Sequence, residues 1–327
     1  MAGKLMRAVQ YSKYGGGVAD LKHVEVSVPS PEKDEVLIKV EAASINPIDW
    51  KIQNGIARPF LPRKFPHIPG TDVAGEIVQV GSGVGSFKAG DKVVAVLGGG
   101  GALAEYAVAK EASTVPRPAE VSALEAAALP IAGLAAHQSL TQHAGLKLDG
   151  SGPQVNILVT AASGGVGTYA VQLAKLANAH VTATCGARNM ELVKSLGADE
   201  VLDYKTPEGK ALTSPSGRKY DIVIHCTTNI PWSTFEANLT PNGKVVDTTP
   251  GFGTLLSVAV KKITFSKKQL IPVFTDPKKE NLDFLVKLVK AGKLKPVIDS
   301  KLPLSKAGEA WGKSIDGHAT GKILVEP

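Results

Sequence analysis

Two rhythms of apolar and polar positions divide this chain. Over residues 1–125 the apolar positions fall in short, β-branched runs. Leu5 to Tyr11, Leu21 to Val28, Glu35 to Ala43, Asp72 to Val80, Lys92 to Val96 and Ala104 to Ala109 each read as a strand. Turn residues separate them at Gly15-Gly16-Gly17, Pro29 to Pro31, Gly81 to Gly85, Ala89-Gly90-Asp91 and Gly98 to Gly101. The pattern predicts a β-barrel-like domain. Glu125 to Ala144, mostly Ala and Leu, reads as a helix joining two domains, although Pro130 and Gly133 lie within it. From Val155 the rhythm becomes strand–helix alternation, with strands at 155–160, 180–185, 200–204, 221–226 and 243–248 and helices at 166–177, 189–196 and 233–239. Such alternation predicts an α/β domain with a doubly wound parallel sheet. Asn281 to Ala291 has the spacing of an amphipathic helix. Val297-Ile298-Asp299 and Lys322 to Val325 return to strand, and are expected to rejoin the first domain.

Within that alternation, residues 155–167 carry the most specific chemistry. Val155 to Thr160 is a buried-strand pattern. Ala162, Gly164 and Gly167 then stand where a dinucleotide fingerprint places small residues, ahead of a helix marked by Val166, Ala170, Leu173, Ala174 and Ala177. A diphosphate needs backbone N–H groups close to it, and a side chain at Gly164 would hold it away. The helix N-terminus adds unpaired N–H groups and partial positive charge. A sequence preferring NAD would carry Asp or Glu at the end of the next strand. This chain has Cys185-Gly186-Ala187-Arg188-Asn189 instead. Arg188 is placed to pair with a 2′-phosphate, with Lys205 as added charge, which favours NADPH over NADH.

Length and composition narrow the class. The 327 residues exceed one ordinary core and imply two domains. Two cysteines, Cys185 and Cys226, imply neither a disulfide framework nor a four-thiolate zinc lobe, and fit a reducing compartment. No apolar run reaches transmembrane length. No signal-peptide core or Ser- and Arg-rich transit segment precedes the strand-like sequence at about Leu5, so an intracellular chain without a cleaved leader is expected. The net charge of +7 is partly local: Lys261, Lys262, Lys267, Lys268, Lys278 and Lys279 cluster, and Lys287, Lys290, Lys293 and Lys295 follow. These lysines read either as a solvated face or as an attraction to anionic lipid or an acidic partner. No aromatic interleaving or motif points to nucleic acid.

Several segments in order resemble the zinc-free quinone oxidoreductase branch of the medium-chain dehydrogenase/reductase superfamily. They are ASINPIDWK at 43–51, PGTDVAG at 69–75, GDKV at 90–93, AEY at 104–106, AASGGVG at 161–167, LGAD at 196–199 and GKI at 321–323. RPFLPRKFP at 58–66, ATCGARN at 183–189 and SIDGHATGK at 314–322 resemble plant members of that branch at the chloroplast inner envelope, reached without a cleaved peptide. The resemblance implies a GroES-like catalytic domain over 1–128, a Rossmann domain over 129–296 and a C-terminal return over 297–327. It also implies a homodimer formed by edge strands from Gly243 to Thr248 onwards. Where zinc members carry a thiolate this chain has Asn46, and Gly70-Thr71-Asp72 replaces Gly-His-Glu, so no metal is expected.

Without a metal to stabilise an alkoxide, the expected reaction is reduction of an electrophilic substrate, a quinone or an α,β-unsaturated carbonyl (enones and oxylipin-type ketones included). Asn46, Asp49 and Lys51 are candidate donors, on a loop that the resemblance turns toward the nicotinamide. Lys51 is either a partner of cofactor or substrate or a surface lysine. Asn46 is either catalytic or a turn residue ahead of Pro47. No side chain stands out as proton donor. Around NADPH the expected contacts are Ser163, Gly164, Gly165 and Val166 at the diphosphate, Gly186 and Arg188 at the ribose, and Tyr204 beside the adenine. Thr227, Asn229, Thr248 and Thr249 follow at strand ends, with Gly321 and Lys322 from the tail. Residues 250–275 depart from the family pattern and are expected to wall the substrate cleft. The alternative is a membrane-peripheral NADPH-binding protein with little turnover.

Overall fold

The computed structural model describes residues 3–56, 58, 62–251, 254 and 267–327. Lys261 and Lys262, most of the 250–265 stretch, and Pro59, Phe60 and Leu61 lie outside the described residues. The chain forms two compact units, Met1–Ile131 with Pro277–Pro327, and Ala132–Asp276.

In the first unit β1 (Leu5–Gln10) pairs antiparallel with β2 (Lys22–Ser27). The long β3 (Glu35–Ile45) lies between β4 (Asp72–Val80) and β6 (Tyr106–Lys110), both antiparallel to it. β4 continues to β5 (Lys92–Val96), and β5 to β7 (Thr114–Pro116). Alternate residues of these strands, Val36, Ile38 and Val40 with Val73, Ile77, Val93 and Ala95, fill the core. Between β3 and β4 the loop expected after β3 is instead the helix α1 (Pro47–Gln53). Proline suits the first helical position, and Asp49 accepts the Asn46 backbone N–H at 2.8 Å, closing the turn.

The single helix expected over Glu125–Ala144 is broken. Ser122 and Glu125 cap α2 (Ala123–Ala128), and α3 (Pro130–Gln138) begins at the proline that cannot continue α2. A π-type turn, Ser139–His143, follows.

The second unit runs β8 (Asn156–Val159), α4 (Gly165–Leu176), β9 (His180–Cys185), α5 (Met190–Ser195), β10 (Glu200–Asp203), α6 (Pro207–Ala211), β11 (Tyr220–His225), α7 (Trp232–Asn238), β12 (Leu239–Asp247) and β13 (Gln269–Pro272). Every neighbouring pair is parallel, and the spatial order is β10-β9-β8-β11-β12-β13. Ile157, Leu158, Val159, Val181, Ala183, Val223, Ile224, Val245 and Val246 are fully buried, as a sheet covered on both faces requires. The strand order reverses between β8 and β11. In such sheets ligands bind outside the strands' carboxyl ends at that point. β13, which the sequence pattern did not suggest, covers β12 and stands at the sheet edge.

The chain returns to the first unit at Pro277. The amphipathic helix α8 (Lys279–Lys290) therefore groups with it, burying Leu282, Leu285, Val286 and Leu288. β14 (Ile298–Pro303), α9 (Ala307–Asp316) and β15 (Lys322–Glu326) complete the unit. β15 is parallel to β14 and antiparallel to β3, pairing Ile323 with Ile45, Leu324 with Ser44 and Val325 with Ala43.

Candidate active site

In the second unit the turn after β8 is built for a close backbone approach. Ala161 takes a left-handed φ of 47°, Gly164 donates its N–H to the Ala161 carbonyl at 2.9 Å, and Gly164 then caps the 12-residue α4. The first amides of a helix have no intrahelical acceptor, so those at Gly165, Val166 and Gly167 present donors at the positive end of the helix dipole. A Cβ on Gly167 would lie 2.3 Å from the Ala161 carbonyl oxygen, so only glycine lets the helix sit this close to the strand. This is the geometry a diphosphate fits. Asn189 donates to Ser163 Oγ at 3.1 Å and so ties the turn to the end of β9. Around β9 and β10 two of the expected ribose and adenine residues meet: Tyr204 Cε1 is 3.5 Å from where a Gly186 Cβ would stand, and both Tyr204, 45% exposed, and Arg188 are open to solvent. Lys205 Nζ lies 5.9 Å from the Tyr204 ring centre.

At the carboxyl ends of β11 and β12 the threonines spend their hydroxyls within the protein. Thr248 Oγ1 donates to the His225 carbonyl at 3.0 Å and Thr249 Oγ1 to the Thr227 carbonyl at 2.5 Å. Asp247 accepts from the Thr249 N–H at 2.9 Å and from Thr254 Oγ1 at 2.7 Å. What these residues offer a ligand is thus mainly backbone. Asn229 is exposed in a left-handed conformation, φ 66°. His225, buried at the end of β11, has Nδ1 3.0 Å from Thr160 Oγ1, which itself accepts the Cys226 N–H. Burial pushes the His225 pKa down, opposed by Asp247.

The catalytic candidates fall in the first unit, and there Asn46 and Lys322 come together. Lys322 Nζ donates to Asn46 Oδ1 and stands 3.9 Å from Asp72 Oδ2. Asn46 Nδ2 donates to Asp72 Oδ2 at 2.9 Å, and Ser44 Oγ donates to the same oxygen at 2.9 Å. The Ile131 N–H reaches Asp72 at 3.3 Å. Thr71 Oγ1 is 3.3 Å from both Asp49 Oδ1 and Asp72 Oδ1. Asn46, Asp49, Asp72 and Lys322 are each no more than 3% exposed. Asp72 entered the sequence reading only as part of a motif, and Lys322 as a cofactor contact; their meeting depends on β15 pairing with β3, which no local pattern reveals. Lys51 is half-buried, with Nζ 5.7 Å from the Trp50 ring centre. Gly321 is buried at φ 84°, and its amide neighbour Lys322 donates its N–H to the Val297 carbonyl at 2.8 Å.

This donor set does not fit a zinc ion. Asn46 Oδ1 already faces an ammonium, and Asp72 is filled by hydroxyl, amide and backbone donors. Among the described residues no group of three or more His, Cys, Asp or Glu side chains could hold a metal.

Burial pushes the Asp49 carboxyl up to about 7, with the Asn46 N–H pulling it back and Asp72 adding to the rise. A carboxyl raised above its unfolded value binds more protons folded than unfolded, so stability present below about pH 4 is lost as pH rises through 7. The expected slope is at most about 1.4 kcal/mol per pH unit. Asp49→Asn should flatten it, measured as unfolding free energies of both proteins from pH 4 to 8. Parallel curves would refute an elevated Asp49.

The lysines of the basic stretch are in part engaged. Lys287 pairs with Asp283 at 2.6 Å, Lys290 with Glu120 at 3.2 Å, Lys268 donates to the Glu236 carbonyl at 2.7 Å, and Lys279 lies 5.0 Å from the Phe87 ring centre. Among the described residues no helix is long and apolar enough to cross a membrane.

A GroES-like unit followed by a doubly wound sheet with a glycine-cradled turn defines a pyridine-nucleotide oxidoreductase class. The alcohol dehydrogenase GroES-like domain model matches residues 32–119 and the zinc-binding dehydrogenase model residues 196–325. The chain belongs to the medium-chain dehydrogenase/reductase superfamily, in its quinone oxidoreductase branch. It is 72% identical to the chloroplast envelope quinone oxidoreductase homolog of Arabidopsis thaliana over 100% of both chains. It is 34% identical to that plant's chloroplastic NADPH-dependent alkenal/one oxidoreductase, over 99% of this chain and 80% of the relative. The structure of the quinone oxidoreductase from Coxiella burnetii is similar with a TM-score of 0.89 at 31% identity, covering 99% of this chain and 100% of the other.

Proposed function

We propose that this chain is an NADPH-dependent reductase that delivers hydride to quinones or activated α,β-unsaturated carbonyls without a metal, in the chloroplast. The observation that carries the reading is the buried set around Asn46: an amide held between an ammonium and a carboxylate is equipment for hydrogen bonding to an oxygen, not for binding a metal. The names of the relatives, which include quinone and alkenal reductases, support the substrate class.

When bound, the reduced nicotinamide supplies the hydride. The protein's own part is binding, orientation and stabilisation of charge. Gly164, Gly165 and Val166, with Ser163, hold the diphosphate through backbone amides and the helix dipole. Arg188 pairs with the 2′-phosphate, Tyr204 covers the adenine beside Gly186, and the Thr227, Asn229, Thr248 and Thr249 backbone borders the remainder. Asn46 donates an amide hydrogen to the oxygen that gains negative charge as the conjugated system is reduced, with Lys51 as a second donor. Protonation of the product falls to solvent water.

NADPH oxidation measured against a panel of quinones and enones tests this, with NADP-dependent oxidation of simple alcohols as control. Turnover of the panel and none of the alcohols is expected. Tight NADPH binding with no turnover by any acceptor would overturn the reading. Arg188→Ser separately tests the coenzyme choice. Charge-assisted bonds to phosphate are strong, so KM for NADPH should rise about 10- to 100-fold while KM for NADH stays within about threefold. An equal change for both coenzymes would remove Arg188 from the 2′-phosphate.

A further inference from the structure

We propose that Lys322 is a positioning residue for the reduction: a buried fixed cation that orients and polarises the Asn46 amide so that its remaining Nδ2–H is a strong donor to the substrate oxygen. The inference rests on the reading of Asn46 given under the proposed function. It assigns Lys322 a role through Asn46 and not through the coenzyme.

The geometry leaves the amide one orientation. Its oxygen meets the Lys322 ammonium and its nitrogen meets the Asp72 carboxylate. A flipped amide would set oxygen against carboxylate and N–H against ammonium, two repulsions between buried groups. One Nδ2–H is spent on Asp72, and the second remains. Drawing electron density toward Oδ1 makes that hydrogen a better donor, the cooperative strengthening expected of linked bonds in a low-dielectric site. Burial pushes the Lys322 pKa down, and the neighbouring Asp72 and Asp49 carboxyls pull it back towards the charged form. Asp72 is surrounded by donors from Ser44, Asn46 and Ile131, the arrangement a carboxylate wants, and burial is what opposes its ionisation.

Fold maintenance alone does not explain the pair. β15 is already held on β3 by the Ile323–Ile45, Leu324–Ser44 and Val325–Ala43 pairs, and β3 on β4 by Ser44–Asp72. The turn into β15 is fixed by Gly321, where a Cβ would stand 2.1 Å from the Val297 carbonyl oxygen. The backbone thus delivers Lys322 to Asn46 whatever its side chain. Apolar residues of similar volume usually stabilise such a place as well as a buried ion pair does. The retained charge calls for another use, and the amide it grips is the one that meets the substrate.

The test uses the full-length protein with NADPH and a quinone or enone that the wild type reduces. Lys322→Met keeps the length and removes the charge, and kcat should fall about 10- to 100-fold with KM for NADPH within about threefold. Because Lys322→Met leaves Asp72 buried alone, Lys322→Met/Asp72→Asn is made beside it. Its melting temperature should recover while kcat stays low, whereas a purely structural pair would restore both. Lys322→Arg should regain part of kcat. In an Asn46→Ala background Lys322→Met should add nothing, since it acts through the amide. Wild-type kcat in Lys322→Met, recovery of kcat in the double variant, or additive losses with Asn46→Ala would each overturn the inference. A loss confined to NADPH affinity would return Lys322 to the coenzyme. Absence of turnover in the wild type would instead be a failure of the proposed function.

Discussion

Gly167→Ala should both destabilise the second unit and abolish tight coenzyme binding. The new methyl group would lie 2.3 Å from the Ala161 carbonyl oxygen and 2.7 Å from the Ala162 Cα, both backbone atoms that cannot swing aside. Helix α4 must therefore back away from β8, and the core it covers opens with it; Tyr169, Ala170, Val171 and Leu173 of that helix are fully buried. Overpacking of this kind costs about 1–3 kcal/mol, which in a chain of this size lowers the melting temperature by about 2–4 °C for each kcal/mol. The amides of Gly165 and Val166 move with the helix, so the diphosphate that the proposed function places there would lose its donors. Gly164→Ala is the informative contrast. Gly164 has an ordinary φ of −83°, and a Cβ there would stand 3.2 Å from the Ala161 carbonyl. Its methyl group would instead crowd the face where the ligand approaches. Binding should weaken by about 10-fold or more while the melting temperature stays nearly unchanged, a steric loss of one or two good hydrogen bonds. Thermal melts with and without NADPH, together with calorimetric titration, separate the two. Wild-type affinity in Gly167→Ala would deny that this turn cradles the coenzyme.

The two glycines also mark what the sequence makes legible. Strands with clean alternation or unbroken apolar runs were readable in place: Asp72–Val80, Lys92–Val96 and His180–Cys185 occupy the spans their patterns predict. The glycine turn after β8 was readable because strand, small residues and helix follow one another within a few residues. α1 was less so. Asn46-Pro47 reads as a turn, yet the same residues with Asp49 are also a helix start, and only packing decides between them. The break at Pro130 had its cause in view, since a proline there must end one helix and can begin another. β13 gave no signal: four residues after a lysine-rich stretch show no period. The Asn46–Lys322 contact was beyond reach for a different reason. The partners are separated by most of the chain, and each looks ordinary alone. A lysine at a strand start is normally solvated, so its burial is a property of sheet pairing and not of its neighbours in sequence. Local chemistry is written locally, whereas a polar cluster assembled by three strands and a helix start is written in the topology.

Asn46→Ala and Asn46→Asp should each lose about 10²- to 10³-fold in kcat, the range found when a donor to a developing oxyanion is removed. The two variants fail for different reasons. Alanine deletes the amide and leaves Lys322 and Asp72 facing a gap. Aspartate keeps the shape and the acceptor for Lys322 but replaces the N–H groups with a second oxygen, beside Asp72 and the Asp49 carboxyl already raised by burial. It thus isolates the donor from the packing. KM for NADPH should change by less than about threefold in both, because the proposed function assigns the diphosphate, ribose and adenine to Ser163, Gly164, Gly186, Arg188 and Tyr204 in the second unit, and loss of a bond made only in the transition state appears in kcat. Stopped-flow NADPH oxidation in single turnover reads the chemical step directly. A fast first turnover in Asn46→Asp would mean that reduction does not need the amide hydrogen, and Asn46 would then be a helix-capping residue whose buried partners serve the fold alone.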